Sequence, residues 1–177
     1  PGLADHAAAR GLLLIPGIEL KLSGKHVVVV NPPFGRNPGL VSLADLPGLS
    51  TPSSLVIAPH PFYPGLKCLR SKLAEHIDGF DAIEFSFFYS RLINPNRKAV
   101  AAARAAEKPL VGSSDCHNIW QVGLTYSLVE AEKNIPSIVA AVKAGKVEVG
   151  TPPLSLPQMF RIALNSEAID RESQLRR

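Results

Sequence analysis

Three of the five histidines in this 177-residue chain, His26, His60 and His117, fall at or beside short apolar runs that read as strands. Carboxylates fall in similar places. Glu19 follows the run Leu12–Ile15 across Pro16-Gly17, and Asp115 precedes His117 in Ser113-Ser114-Asp115-Cys116-His117, just after Leu110–Gly112. His60 sits in Ala58-Pro59-His60-Pro61, at the end of Leu55–Ala58. Imidazole and carboxylate together suit Zn, Mn or Fe, and a carboxylate can bridge two ions. Asp115 and His117 are two residues apart, so in extended chain they point the same way, with Cys116 turned opposite as a packed thiol. His6 and His76 fall on helical stretches and read as ordinary helix residues, His76 near a C-terminus where a cation suits the dipole.

Elements of two kinds must position these groups. Strands are expected at Leu12–Ile15, His26–Val30, Leu55–Ala58, Ala82–Phe85, Leu110–Gly112 and Thr125–Val129, most of them continuous apolar runs, as in a sheet covered on both faces. Helices are expected at Leu3–Arg10, Leu66–His76, Asn96–Glu107 and Pro136–Ala144. The last has Asn134 near its start, Pro136 in its first turn and Gly145 beyond its end. Pro32–Pro64 reads as loop around one strand, and Pro152–Pro157 as a linker into a short helix around Met159–Leu164. Alternating strand and helix predicts α/β architecture with a parallel sheet, whose C-terminal strand ends converge on one face where sites are built. Glu19, His60 and the pair Asp115/His117 would meet there. His26, at a strand start, needs a turn to bring it across.

In order along the chain, Pro16-Gly17-Ile18-Glu19, Gly24-Lys25-His26-Val27, Ala58-Pro59-His60-Pro61, Asp81-Ala82-Ile83-Glu84 and Gly112-Ser113-Ser114-Asp115-Cys116-His117 resemble blocks of the PHP (polymerase and histidinol phosphatase) superfamily. Gln121-Val122-Gly123 and Val142-Lys143-Ala144-Gly145-Lys146 extend the likeness over residues 1–150, with 151–177 as a C-terminal extension bearing a short helix. The resemblance implies an incomplete, distorted (β/α)7 barrel of mostly parallel strands. It also implies a site of two or three divalent ions (Mn, Zn or Fe) and hydrolysis of phosphoesters by a metal-activated water. By position, Glu19 would bridge two metals, His26 and His60 would complete one, Asp115 would bind the other, and His117 would serve a third ion or the substrate phosphate. Glu84 takes a supporting role. The catalytic set is thus Glu19, Asp115 and His117, with Arg91 as the substrate-binding cation, chosen over Arg36 and Arg97. The family's opening His-x-His strand and its Asp-His turn are absent before Glu19. The expectation is that two β/α units, ~50–60 residues at typical element lengths, are missing and that the chain alone is a weak catalyst.

Composition agrees with that reading. Hydrophobic residues make up 46% of the chain, which suits a buried sheet, and no apolar run is long enough to cross a bilayer. The formal net charge of +4 suits a small phosphorylated substrate or short nucleotide but does not call for a stable nucleic-acid complex. Cys68 and Cys116 form no CxxC pair, and reduced thiols in the cytoplasm are expected. Two other readings compete. One is a catalytically degenerate PHP-like domain that binds RNA or a protein. The other is a metal-dependent amidohydrolase, which would need a bridging lysine in mid-barrel that the chain does not offer.

Overall fold

The computed structural model describes residues 2–34 and 39–162. The elements run α1 (Leu3–Ala8), β1 (Gly17–Leu22), β2 (Lys25–Val30), β3 (Leu55–Ala58), α2 (Ser71–Glu75), β4 (Ala82–Ser86), α3 (Asn96–Ala105), β5 (Leu110–Ser113), β6 (Tyr126–Val129), α4 (Ile135–Lys143) and β7 (Val147–Gly150). A last helix, α5, covers 156–162, so the end of the expected Met159–Leu164 helix lies outside the described residues, as does Arg36. Five strands form one sheet in the order β1-β2-β3-β4-β5, and β6 pairs with β7 in a second. Among the described residues no helix is long and apolar enough to cross a membrane.

The sheet is mixed. Only β3-β4-β5 is parallel; β1-β2, β2-β3 and β6-β7 are antiparallel, and the strands do not close into a barrel among the described residues. The parallel sheet expected from the sequence holds for β3-β4-β5 and is corrected for β1, β2, β6 and β7. The chemistry of the first hairpin explains the change. Gly17–Leu22 alternates, with Leu20 and Leu22 buried and Glu19 and Lys21 outward, which is the period of a half-covered strand. Ser23 and Gly24 both take positive φ (48° and 75°), the two-residue turn whose twist suits a hairpin and for which glycine is the natural second residue. The expected strand at Leu12–Ile15 does not form. Its leucines are 62%, 37% and 46% exposed, and Pro16 ends the run; the strand begins after it. The helix expected over Leu66–His76 shrinks to α2, because Leu66 and Lys67 are held as loop by β2. Lys25 Nζ donates to the Leu66 carbonyl (2.6 Å), and His26 N donates to that of Lys67 (2.9 Å). Strand β7 had no signal in the apolar pattern; it pairs with β6 from Tyr126↔Gly150 to Val129↔Val147.

Apolar side chains cover both faces of the larger sheet. On one, Leu20, Leu22, Val27, Val29, Val56 and Ile83 pack with Leu73, Phe80, Ala99 and Ala103. Ala99 and Ala103 stand one helical turn apart on α3, so their small side chains form one stripe over the strands. On the other, Leu55, Ala82 and Val111 meet Val139 and Val142 of α4. Asn134 caps α4 by accepting from Ser137 N (2.9 Å). A third cluster, Phe87, Leu154 and Ile162 with Phe88, Trp120, Leu124 and Met159, lies past the end of β4 and includes α5.

Candidate metal centre and adjoining cleft

Strand direction brings His26 to the site. In the hairpin Glu19 faces Val28 and Lys21 faces His26, so Glu19 and His26 are diagonal neighbours on one face, within reach of long side chains. Strand β2 is also antiparallel to β3, and continuing their register by two residues sets His26 level with Pro59, next to His60. The start of β2 therefore lies beside the end of β3, and no further turn is needed.

Glu19 Oε1 lies 2.7 Å from His26 Nδ1 and 3.8 Å from His60 Nε2. The two rings meet edge to face at 5.5 Å. One donor atom from each of Glu19, His26 and His60 lies within 4.8 Å of the others. The 2.7 Å approach is not a hydrogen bond, since its angles are unsuitable, and His26 Nδ1 is buried without a hydrogen-bond partner. Two imidazoles and a carboxylate with donor atoms within 4.8 Å of one another, one nitrogen without a hydrogen-bond partner, fit a cation. Donors around zinc at ~2.1 Å stand about 3.4 Å apart in a tetrahedron, within the range seen here. The triad has the capacity to bind one divalent ion.

The electrostatics agree. Glu19 is drawn below the ordinary carboxylate range chiefly by the His60 ring, against partial burial, with the charges of His26 and Lys67 adding to the pull. Burial lowers His26, and Glu19 opposes that effect. At His60 burial also works against charge. Contacts with Cys68 (Sγ to Nδ1, 3.4 Å) and Glu19, together with the Glu84 charge, outweigh it and hold the ring up at about 10. Cys68 thus sits on the nitrogen of His60 that faces away from Glu19, where an outer partner orients a ligand ring.

Asp115 and His117 are exposed and stand outside the triad, but with His60 they line a cleft of 250 Å³. His60 and Asp115 each lie two residues beyond a parallel strand, and both take positive φ (30° and 41°). Such conformations in non-glycine residues cost about 1–3 kcal/mol each and cluster at functional sites. Glu84, nearly fully buried in the middle of β4, binds the two strand ends together by accepting from His60 N and from Ser113 Oγ; burial pushes its carboxyl up. His117 Nδ1 is 3.0 Å from the Asp115 carbonyl, and its N–H donates to Gln121 Oε1 (2.8 Å). Arg91 is exposed and lines a separate depression with Leu92, Pro152 and Leu154. Cys116, expected to be packed, is exposed, because the chain has left the pleat of β5 by that point; both cysteines are free.

Sequence reasoning passed over Lys67 and Cys68. Lys67 acts electrostatically on both Glu19 and His26. Neither residue carries a motif, and both arrive on a loop that looked helical.

Residues 94–147 match a family model described as PHP-associated. The structure resembles that of PsfC from Pseudomonas syringae PB-5123, with a TM-score of 0.62 and 22% sequence identity over 93% of this chain and 68% of that one. Among curated proteins, none matches the sequence. The PHP-associated match covers residues 94–147, and the Glu/His cluster lies before it in the chain.

Proposed function

We propose that the chain contributes to a metal-dependent hydrolase acting on phosphoesters. The observation that carries this reading is the orphaned Nδ1 of His26, 2.7 Å from Glu19 Oε1, which itself lies 3.8 Å from His60 Nε2. A divalent ion bound there would lower the pKa of water and offset charge on phosphoryl oxygens. Glu19, His26 and His60 would hold it. Asp115 and His117, which line the same cleft as His60, are proposed as ligands for a second ion or as the groups that orient the phosphate. Glu84 and Cys68 would keep His60 in place from its backbone and its far ring nitrogen. Lys67 supplies positive charge beside the triad and would steady an anionic substrate; Arg91, in its separate depression, is left as a contact for a second anionic group.

Metal analysis of the protein, followed by a panel of phosphomonoesters and diesters with added Mn²⁺ or Zn²⁺, tests this. Metal-dependent release of phosphate or alcohol, lost in Glu19→Gln and His60→Ala, is the expected result. Stoichiometric metal binding without hydrolysis of any ester, in this chain and in the longest gene product that contains it, would instead favour a non-catalytic binding domain.

A further inference from the structure

The 250 Å³ cleft that His60 shares with the triad has two kinds of lining. His60, Asp115 and His117 are the ionisable part. Tyr63, Phe87, Phe88 and Ile162 are the apolar part. Several polar groups beside that apolar part are already committed within the protein. The Tyr63 hydroxyl donates to the Phe88 carbonyl (2.6 Å), and the backbone N–H and C=O of Ser86 are both taken by the Asn96 side chain (3.0 and 2.8 Å). Gln121 Oε1 accepts from the backbone N–H groups of His117 and Asn118. A ligand entering there meets ring surface and finds few free donors or acceptors.

The aromatic side chains are inclined rather than stacked. Tyr63 and Phe88 meet at 52° with centroids 6.4 Å apart, and Phe87 and Phe88 at 66° and 6.1 Å. Phe87 is buried in the core, so the ring surface open to a ligand is chiefly that of Tyr63 and Phe88, whose inclined rings offer face and edge, the arrangement another ring prefers. The volume also fits, since an apolar cavity of about 150 Å³ binds benzene. We infer that the cleft receives a single aromatic ring on the alcohol side of the ester, so that aryl-alkyl phosphates are preferred to short alkyl phosphates. This inference rests on the phosphoester reading, because it assigns the ionisable lining to the phosphate.

Two non-hydrolysable probes, benzylphosphonate and methylphosphonate, separate ring recognition from leaving-group chemistry. Calorimetric titration of each into the Mn²⁺-loaded protein should show the benzyl compound binding about tenfold to a hundredfold tighter, as burial of a phenyl group implies. Ile162→Phe, which enlarges the apolar lining, should abolish that preference in protein that still binds Mn²⁺. Phe88→Ala should weaken benzylphosphonate alone. Equal affinity of the wild type for both probes, or a preference that survives in the metal-binding Ile162→Phe protein, overturns the cleft assignment and leaves the phosphoester reading standing. Binding of neither probe overturns both.

Discussion

A buried imidazole nitrogen 2.7 Å from a carboxylate oxygen, without the angles of a hydrogen bond, is costly unless a third body shares the space. Glu19→Gln keeps the shape but removes the charge that faces both rings, so Mn²⁺ or Zn²⁺ affinity by calorimetry should fall at least tenfold; unchanged affinity would remove Glu19 from the ligand set. Protons compete at the same place. His60 holds its proton up to about 10 in the metal-free protein, and a ligand must be neutral. Metal affinity should therefore rise about tenfold per pH unit from pH 7 to 9, with one proton released per ion. Titrations in buffers of different ionisation enthalpy read that count directly, and a count of zero excludes His60 as ligand. Lys67→Ala should raise KM for a phosphomonoester several-fold with little change in kcat, as expected when a charge serves binding alone.

At the scale of elements the site depends on two junctions. Glu84 joins the ends of β3 and β5 from the middle of β4. Glu84→Ala leaves the His60 N–H without its acceptor beside a nearly fully buried position, and should lower unfolding free energy by about 1–3 kcal/mol while weakening metal binding. Glu84→Gln keeps an acceptor and should recover much of the loss. The second junction is between the two sheets. A Cβ on Gly112 of β5 would stand 2.8 Å from the Tyr126 carbonyl oxygen and 2.8 Å from Val149 Cγ1. Backbone cannot yield as a flexible side chain does, so Gly112→Ala should destabilise the fold by about 1–3 kcal/mol in urea melts. A neutral substitution would mean that β5 and β6 can separate freely, and that the loop bearing Asp115 is not fixed by their contact.

For the whole molecule, metal binding and folding are one equilibrium. An ion at a hundred times its dissociation constant adds about 2.7 kcal/mol to stability, and the melting temperature should rise with added Mn²⁺. The pH dependence distinguishes the two forms. A histidine raised in the fold stabilises fully below its ordinary pKa of 6.5, and that contribution is lost as pH rises towards about 10. Metal-free protein should lose this contribution between those values. With metal bound His60 has no proton to lose, so the two stability curves should diverge as pH rises. Parallel curves in denaturant melts at pH 6.5, 8 and 9.5 would show that the ion does not occupy His60.

Residue type and local spacing brought forward Glu19, His26, His60, Asp115 and His117 as candidates, and the fold gathers the first three into one cluster. Those signals were also enough to locate β3, β4, β5, α3 and α4, where apolar runs, caps and alanines act over a few residues. Strand direction was not legible. A run of valines is the same string whichever way its neighbour runs, so the antiparallel hairpin that carries His26 to the end of β3 was left open. Nor could the sequence show that Lys67 and Cys68 belong beside the histidines, or that Asp115 and His117 meet the triad only through the cleft they share with His60. Those relations are contacts between segments distant in sequence. They depend on which faces are covered and on which backbone groups find partners, and the folded chain decides both at once.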